Sequence, residues 1–223
     1  ALGAVDANIS DDKAERIAET RRLMAAGTPL IYHAYFQKGD LRGEPDLLER
    51  VEHPSAFGTF AYIPSDIKNS TVWEKRKEPT PKEKFLLQLS AYAELLEDAQ
   101  GWWPETGKII DSSGTPNVLD LASYRATYEE NRRRLDRIRA GEEPTVPGWK
   151  GECGACQWQA VCVRALEEAD DVTLVAGVGE SYRGKLATIG VRTATDLAVA
   201  EPATLQQVKG IGASYATAWV RQA

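Results

Sequence analysis

The sequence predicts an α/β core, a mixed sheet flanked by helices, followed by a small all-helical domain. Three observations carry this expectation. Residues 30–67 hold three apolar, strand-like runs separated by turn residues. Residues 84–99 carry apolar side chains at helical spacing, and residues 172–223 twice place a glycine pair ahead of a helical pattern. At 223 residues the chain can bury one good core and carry a satellite domain.

The elements follow in order. Residues 11–26 read as a helix that Asp11 or Asp12 could cap, with Ile17, Leu23 and Met24 as a thin apolar stripe. Gly27-Thr28-Pro29 stops it. Residues 30–36 read as a strand, Lys38-Gly39-Asp40 as a turn, residues 41–51 as a returning strand and residues 57–67 as a third. This antiparallel meander delivers Asp46 and Asp66. Residues 69–83, charged and with two prolines, read as a mobile loop. On the helix at 84–99, Phe85, Leu89, Tyr92 and Leu96 share one face, and Gln88 neighbours Tyr92 one turn on. Residues 108–111 fit a short strand. Residues 120–139 fit a helix with Leu121, Tyr124, Tyr128, Leu135 and Ile138 inward. Its other face carries Arg125, Arg132, Arg133, Arg134, Arg137 and Arg139, a solvated face that Glu129, Glu130 and Asp136 can pair with. A connector rich in Pro, Gly and Glu, 141–151, leads to three cysteines. The expected domains are 1–165, ending in the cysteines, and 172–223.

Net charge is −6, which argues against nucleic acid only if charge is spread evenly, since the local patch is what meets phosphate. It is not spread evenly: residues 172–223 carry +2 and the remainder −8. A hydrophobic fraction of 43% with six tryptophans fits a globular protein. No long uncharged apolar run is present, so no membrane span is expected, and the first residues lack the pattern of a signal peptide. The default expectation is cytoplasmic. Three cysteines within ten residues are no disulfide framework and favour a metal or cluster.

The chemistry sits in a spaced polar set: Gly43-Glu44-Pro45-Asp46, Asp66-Ile67-Lys68, then Gln88 and Tyr92. Asp66 and Lys68, two apart on a strand, leave one face, and Asp46 on the neighbouring strand can reach it. Ile67 is expected to point into the core and to offer its carbonyl. Two carboxylates and an ammonium suit divalent-metal phosphodiester hydrolysis, which needs hard oxygen ligands for the ion and a cation near the developing charge. Cys153-x2-Cys156-x5-Cys162 is compatible with an iron–sulfur cluster, with zinc, or with free thiols. Trp158 beside it reads as packing. Gly177-Val178-Gly179 and Gly210-Ile211-Gly212 read as turns between short helices. Backbone N–H groups at such turns bind phosphate without reading sequence, and Lys209 with Gly210 and Gly212 fits this better than the first copy.

The array at residues 11–165 resembles the RecB-type nucleases of the PD-(D/E)xK superfamily, specifically their iron–sulfur branch, and the glycine turns resemble helix-hairpin-helix modules. The resemblance implies a restriction-endonuclease-like core in which Asp46 and Asp66 bind Mg²⁺ or Mn²⁺. It places Lys68 near the scissile phosphate, with Gln88 and Tyr92 as the Gln-x3-Tyr element that positions DNA and the active site. It also implies a 4Fe-4S cluster on Cys153, Cys156 and Cys162 as a structural staple. Two departures stand out. The family's upstream Gly-x3-His element and its fourth cysteine have no counterpart here, so the N-terminal portion of the domain is expected to be missing. His33, in the first strand, is read as structural. The implied function is metal-dependent DNA hydrolysis, of single-stranded ends, in repair or processing, with a fused or associated helicase as partner. The alternatives are a non-catalytic DNA-binding or scaffolding module and a redox or zinc protein that uses the cysteines.

Overall fold

Ala61–Ile67 is the longest strand, and the sheet is organised around it. The computed structural model describes residues 3–74 and 77–223. By backbone contacts the chain divides into two compact units, Ala1–Ala140 and Gly141–Ala223, and the cysteines fall in the second.

In the first unit, β1 (Val5–Asp6) is followed by α1 (Lys13–Ala25), then β2 (Leu30–Tyr32), β3 (Phe36–Lys38), β4 (Leu41–Gly43), β5 (Leu47–Val51) and β6 (Ala61–Ile67). The remaining elements are α2 (Glu83–Gln100), β7 (Thr106–Ile110), β8 (Pro116–Asp120) and α3 (Arg125–Arg139). Six strands form one mixed sheet in the order β1-β2-β5-β6-β7-β8. The β1/β2 and β6/β7 pairs are parallel and the others antiparallel.

Asp12 caps α1, its carboxylate accepting from the N–H groups of Ala14 and Glu15. Leu23 and Met24 pack with Ile31, Leu48, Tyr62, Leu95 and Leu96. The first half of α2 continues the core: Phe85, Leu89 and Ala93 pack with Ile109, Leu119 and Tyr128. Burial of this apolar face is what holds α2 against the sheet.

Four expectations are corrected. The run at 30–36 divides into β2 and β3 because His33 adopts φ +53°, which turns the chain. The run at 41–51 divides too: β4 pairs with β3 in a separate two-stranded ribbon, while β5 joins the main sheet. The strand expected at 57–67 begins only at Ala61, after a Ser55–Gly58 turn. Residues 116–120, the last of which is where the helix 120–139 is expected to start, are an antiparallel strand, so α3 starts at Arg125 and Leu135 is exposed rather than inward. The described part of 69–83 is anchored: Val72 is in the core, and the Trp73 indole N–H donates to Asn117 Oδ1 at 3.2 Å. Lys75 and Arg76 of that segment lie outside the described residues.

The second unit contains a short 3₁₀ turn at Gly151–Ala155, α4 (Gln159–Glu168), a second at Val172–Leu174, then α5 (Glu180–Ala187), α6 (Ala194–Ala198), α7 (Pro202–Leu205) and α8 (Ala213–Gln222). Its core is Val172, Val175, Val178, Leu186, Leu197, Leu205, Ile211 and Trp219 among others. The residue between the glycines of each pair, Val178 or Ile211, is buried here. None of the described helices is long and apolar enough to cross a membrane.

Candidate active site

Asp46 immediately precedes β5, one position beyond the Leu47–Ser65 pair, so it faces Asp66 on β6 across the antiparallel ladder. The N–H of Ile67 donates to Asp46 Oδ2 at 2.6 Å. Asp66 is 2% exposed. Lys68 Nζ pairs with Asp66 Oδ2, and the Lys68 N–H donates to the Ile110 carbonyl at 2.8 Å, which extends the β6/β7 register past the strand end. The ladder therefore brings both carboxylates and the ammonium to one end of the central strands.

Ile67 is a correction: its side chain is 50% exposed, and it is Asp66 that is buried beneath α2. Period-2 alternation makes the two alternatives exclusive, because the face carrying Tyr62, Pro64 and Asp66 is the one α2 covers.

Gln88 and Tyr92 come from α2. Gln88 Nε2 donates to the Tyr92 hydroxyl at 2.8 Å, and that hydroxyl donates to the Glu44 carbonyl at 3.2 Å. Gly43 permits this approach: a Cβ there would lie 2.6 Å from Leu95 Cδ1 and 2.9 Å from Tyr92 Cδ1. Burial pushes the Tyr92 phenol up to about 12, and the nearby carboxylates Asp66, Asp46 and Glu44 push the same way against the Gln88 hydrogen bond. At neutral pH Tyr92 is therefore a neutral donor.

Burial raises the Asp66 carboxyl above the ordinary carboxylate value. Lys68 opposes the rise, and the adjacent Asp46 charge adds to it. Asp66 Oδ2 is buried and meets only the Lys68 ammonium. A buried carboxylate beside a second carboxylate suits a divalent cation, which would neutralise both. Among the described residues no group of three or more His, Cys, Asp or Glu side chains is placed to hold a metal ion. The acidic ligands here number two, and a main-chain carbonyl such as that of Ile67 would have to contribute.

His33 contributes backbone. Its N–H donates to the Asp46 carbonyl at 3.1 Å, while its ring lies against Tyr32 and 3.4 Å from Asp6 Oδ1. One further residue touches this region without any sequence signal: Arg16 on α1, paired with Glu44. The arginines of α3 are engaged by Glu129 and Glu130 of the same helix and, from other elements, by Asp40, Glu94 and Glu97.

The cysteines do not fit a cluster as they stand. Cys153, Cys156 and Cys162 are free, Cys156 is exposed, and the three do not gather as a metal-holding group. A cubane takes four thiolates, and the chain has three cysteines. Trp158, expected to pack, is 62% exposed.

The two glycine turns are built alike. Gly177 and Gly210 have φ of +86° and +97°, which favours glycine, and Gly179 and Gly212 cap α5 and α8. Each turn is braced by the other's helix: Trp219 of α8 lies against Gly177, and the Tyr182 hydroxyl of α5 donates to the Gly210 carbonyl at 3.0 Å. They differ in charge. The first turn of α5 carries Glu180, whereas Lys209 and Gly210 are exposed beside an uncharged first turn of α8.

A family model described as the PD-(D/E)XK nuclease superfamily matches residues 6–163. One described as a SAM-like helix-hairpin-helix tandem matches residues 169–223. No curated protein matches the chain.

Proposed function

The chain belongs to the PD-(D/E)XK nuclease superfamily and carries a C-terminal helix-hairpin-helix domain, and we propose that it is a divalent-metal-dependent DNA nuclease acting on single-stranded ends. The observation that supports this most is Asp66: a carboxylate only 2% exposed, set between the Asp46 carboxylate and the Lys68 ammonium.

In this reading Asp46, Asp66 and the Ile67 carbonyl would hold Mg²⁺ or Mn²⁺, which when bound would supply Lewis-acid polarisation of the phosphate and activation of water. Lys68 places its ammonium where negative charge grows on the phosphoryl oxygens. Tyr92 and Gln88 fix the turn that carries Asp46 and present polar groups to the DNA backbone. Lys209, Gly210 and Gly212 hold a phosphate through backbone N–H groups, giving affinity without sequence preference. An exonuclease mode, a role in DNA repair and a helicase partner belong to the same reading. A reducing, cytoplasmic compartment suits three free thiols. The iron–sulfur assignment rests on the Cys153-Cys156-Cys162 spacing and needs a fourth ligand from elsewhere. Absorbance near about 400 nm in protein purified without oxygen would support it.

The test is cleavage of end-labelled single- and double-stranded DNA with Mg²⁺ or Mn²⁺. Cleavage that disappears in Asp66→Ala and Lys68→Ala while DNA binding persists supports the proposal. DNA binding with no cleavage under any metal would identify a scaffolding module instead.

A further inference from the structure

Arg16 lies in the first turns of α1, and its side chain is only 12% exposed. Its guanidinium sits over the Tyr35 ring, 4.8 Å from the centroid. Nη2 donates to the His33 carbonyl at 3.2 Å and also pairs with Glu44 Oε1. Nε is buried and has no hydrogen-bond partner among the described residues.

His33 links this group to the site. At φ +53° it is one of two non-glycine residues in the left-handed region among the described residues, where a side chain costs roughly 1–2 kcal/mol. In that conformation its two backbone groups point in useful directions. The carbonyl accepts from Arg16, and the N–H donates to the Asp46 carbonyl. Arg16 therefore grips the Asp46 turn at two places: at Glu44, two residues before Asp46, and at His33, which bonds Asp46 itself. Tyr92 holds the same turn from α2 through the Glu44 carbonyl. An exposed ion pair contributes little to stability. Here the guanidinium is shielded although Glu44 is 39% exposed, and both acceptors of Nη2 lead to one carboxylate-bearing turn.

We infer that Arg16 is a positioning residue for the nuclease centre, acting through Glu44 and His33 to fix Asp46 where it can share an ion with Asp66. The inference rests on the reading of Asp46 and Asp66 as the ion's holders. Lysine would not fully replace Arg16, because an ammonium lacks the planar face that lies over the Tyr35 ring while Nη2 reaches its two acceptors.

Mn²⁺ binding to the whole protein without DNA tests this, followed by calorimetry so that no turnover is involved. The variants are R16A, R16K, E44A, E44Q and R16A/E44A, each checked for fold by circular dichroism. R16A is expected to bind Mn²⁺ about 10–100-fold more weakly, the usual loss when a group that orients a ligand is removed. R16K recovers only part of this. The double variant binds no more weakly than R16A, because both residues act through one turn. Wild-type affinity in R16A, or fully additive losses in the double variant, would overturn the inference. If R16A fails to fold, E44Q, which keeps the guanidinium and removes only its charged partner, must still weaken Mn²⁺ binding; unchanged affinity there overturns the inference as well. Absence of Mn²⁺ binding by the wild-type protein is a different result. It removes the metal-nuclease reading itself, and this inference with it.

Discussion

The main-chain N–H of Ile67 donates a 2.6 Å hydrogen bond to Asp46 Oδ2. One of the two acidic side chains is thereby tied to the strand that carries the other, so their relative position is set by sheet register rather than by side-chain freedom. Such fixing limits the reorganisation an ion would demand on binding.

Asp66 carries a conflict between stability and function. Burial, with Asp46 adding, raises its carboxyl above the ordinary value. Its favourable contribution to the metal-free protein is thus fully present below the ordinary carboxylate pKa and is lost as pH rises through the raised folded value. Asp66→Asn is expected to abolish cleavage while stabilising the metal-free protein at neutral pH by roughly 0.5–2 kcal/mol, the scale of relieved active-site strain. Thermal melts at pH 7 in EDTA check this, and a lower melting temperature in the variant would count against it.

Lys68 should separate binding from chemistry. Lys68→Ala is expected to retain DNA affinity within a few-fold and to lower the cleavage rate by roughly 10²–10³, the effect of removing one preorganised transition-state contact. Single-turnover rates at saturating protein measure it. A loss confined to DNA affinity would reassign the residue to phosphate binding.

Gly43 and Tyr92 should act as one unit. In Gly43→Ala the new methyl meets Leu95 and Tyr92 at under 3.0 Å, so α2 or the turn must shift, at a cost of about 1–3 kcal/mol. Tyr92→Phe keeps the packing and removes only the hydroxyl between Gln88 and Glu44, at about 1 kcal/mol. Urea titrations give the two costs, and lowered cleavage in both variants is expected. Full activity in Tyr92→Phe would show that the turn is held without it.

Much of this site was legible in the sequence because its residues sit at strand ends and on one helix turn, where periodicity fixes direction. Spacing brought Gln88 beside Tyr92, and strand pairing brought Asp46 beside Asp66. Ile67 was misread because alternation gives two faces and does not say which one a helix covers. The breaks at His33 and between β4 and β5 were missed for a related reason. Apolar runs look continuous, while a positive φ at a histidine and a tight glycine approach are tertiary facts. Arg16 carried no signal at all, since an arginine on a polar helix reads as solvent-facing until its partners are seen. Strand β8 had no counterpart in the sequence reading beyond Asp120, where the helix was expected to start, because Val118 and Leu119 alone are too few to set a period.

The hairpin asymmetry gives a separate expectation. Lys209→Ala should weaken binding evenly across DNA sequences and reduce the slope of log affinity against log salt by about 1. Glu180→Ala, which removes the acid at the other turn, should not weaken it. Fluorescence anisotropy at several salt concentrations reads both. An unchanged slope in Lys209→Ala would place the phosphate contact elsewhere.

The most direct measurement is anomalous scattering from crystals of the whole chain grown with millimolar Mn²⁺. The expected result is a peak within about 2.5 Å of carboxylate oxygens from both Asp46 and Asp66. A peak bound to only one of them, or none in well-ordered crystals, would contradict the shared-ion centre on which the nuclease reading depends.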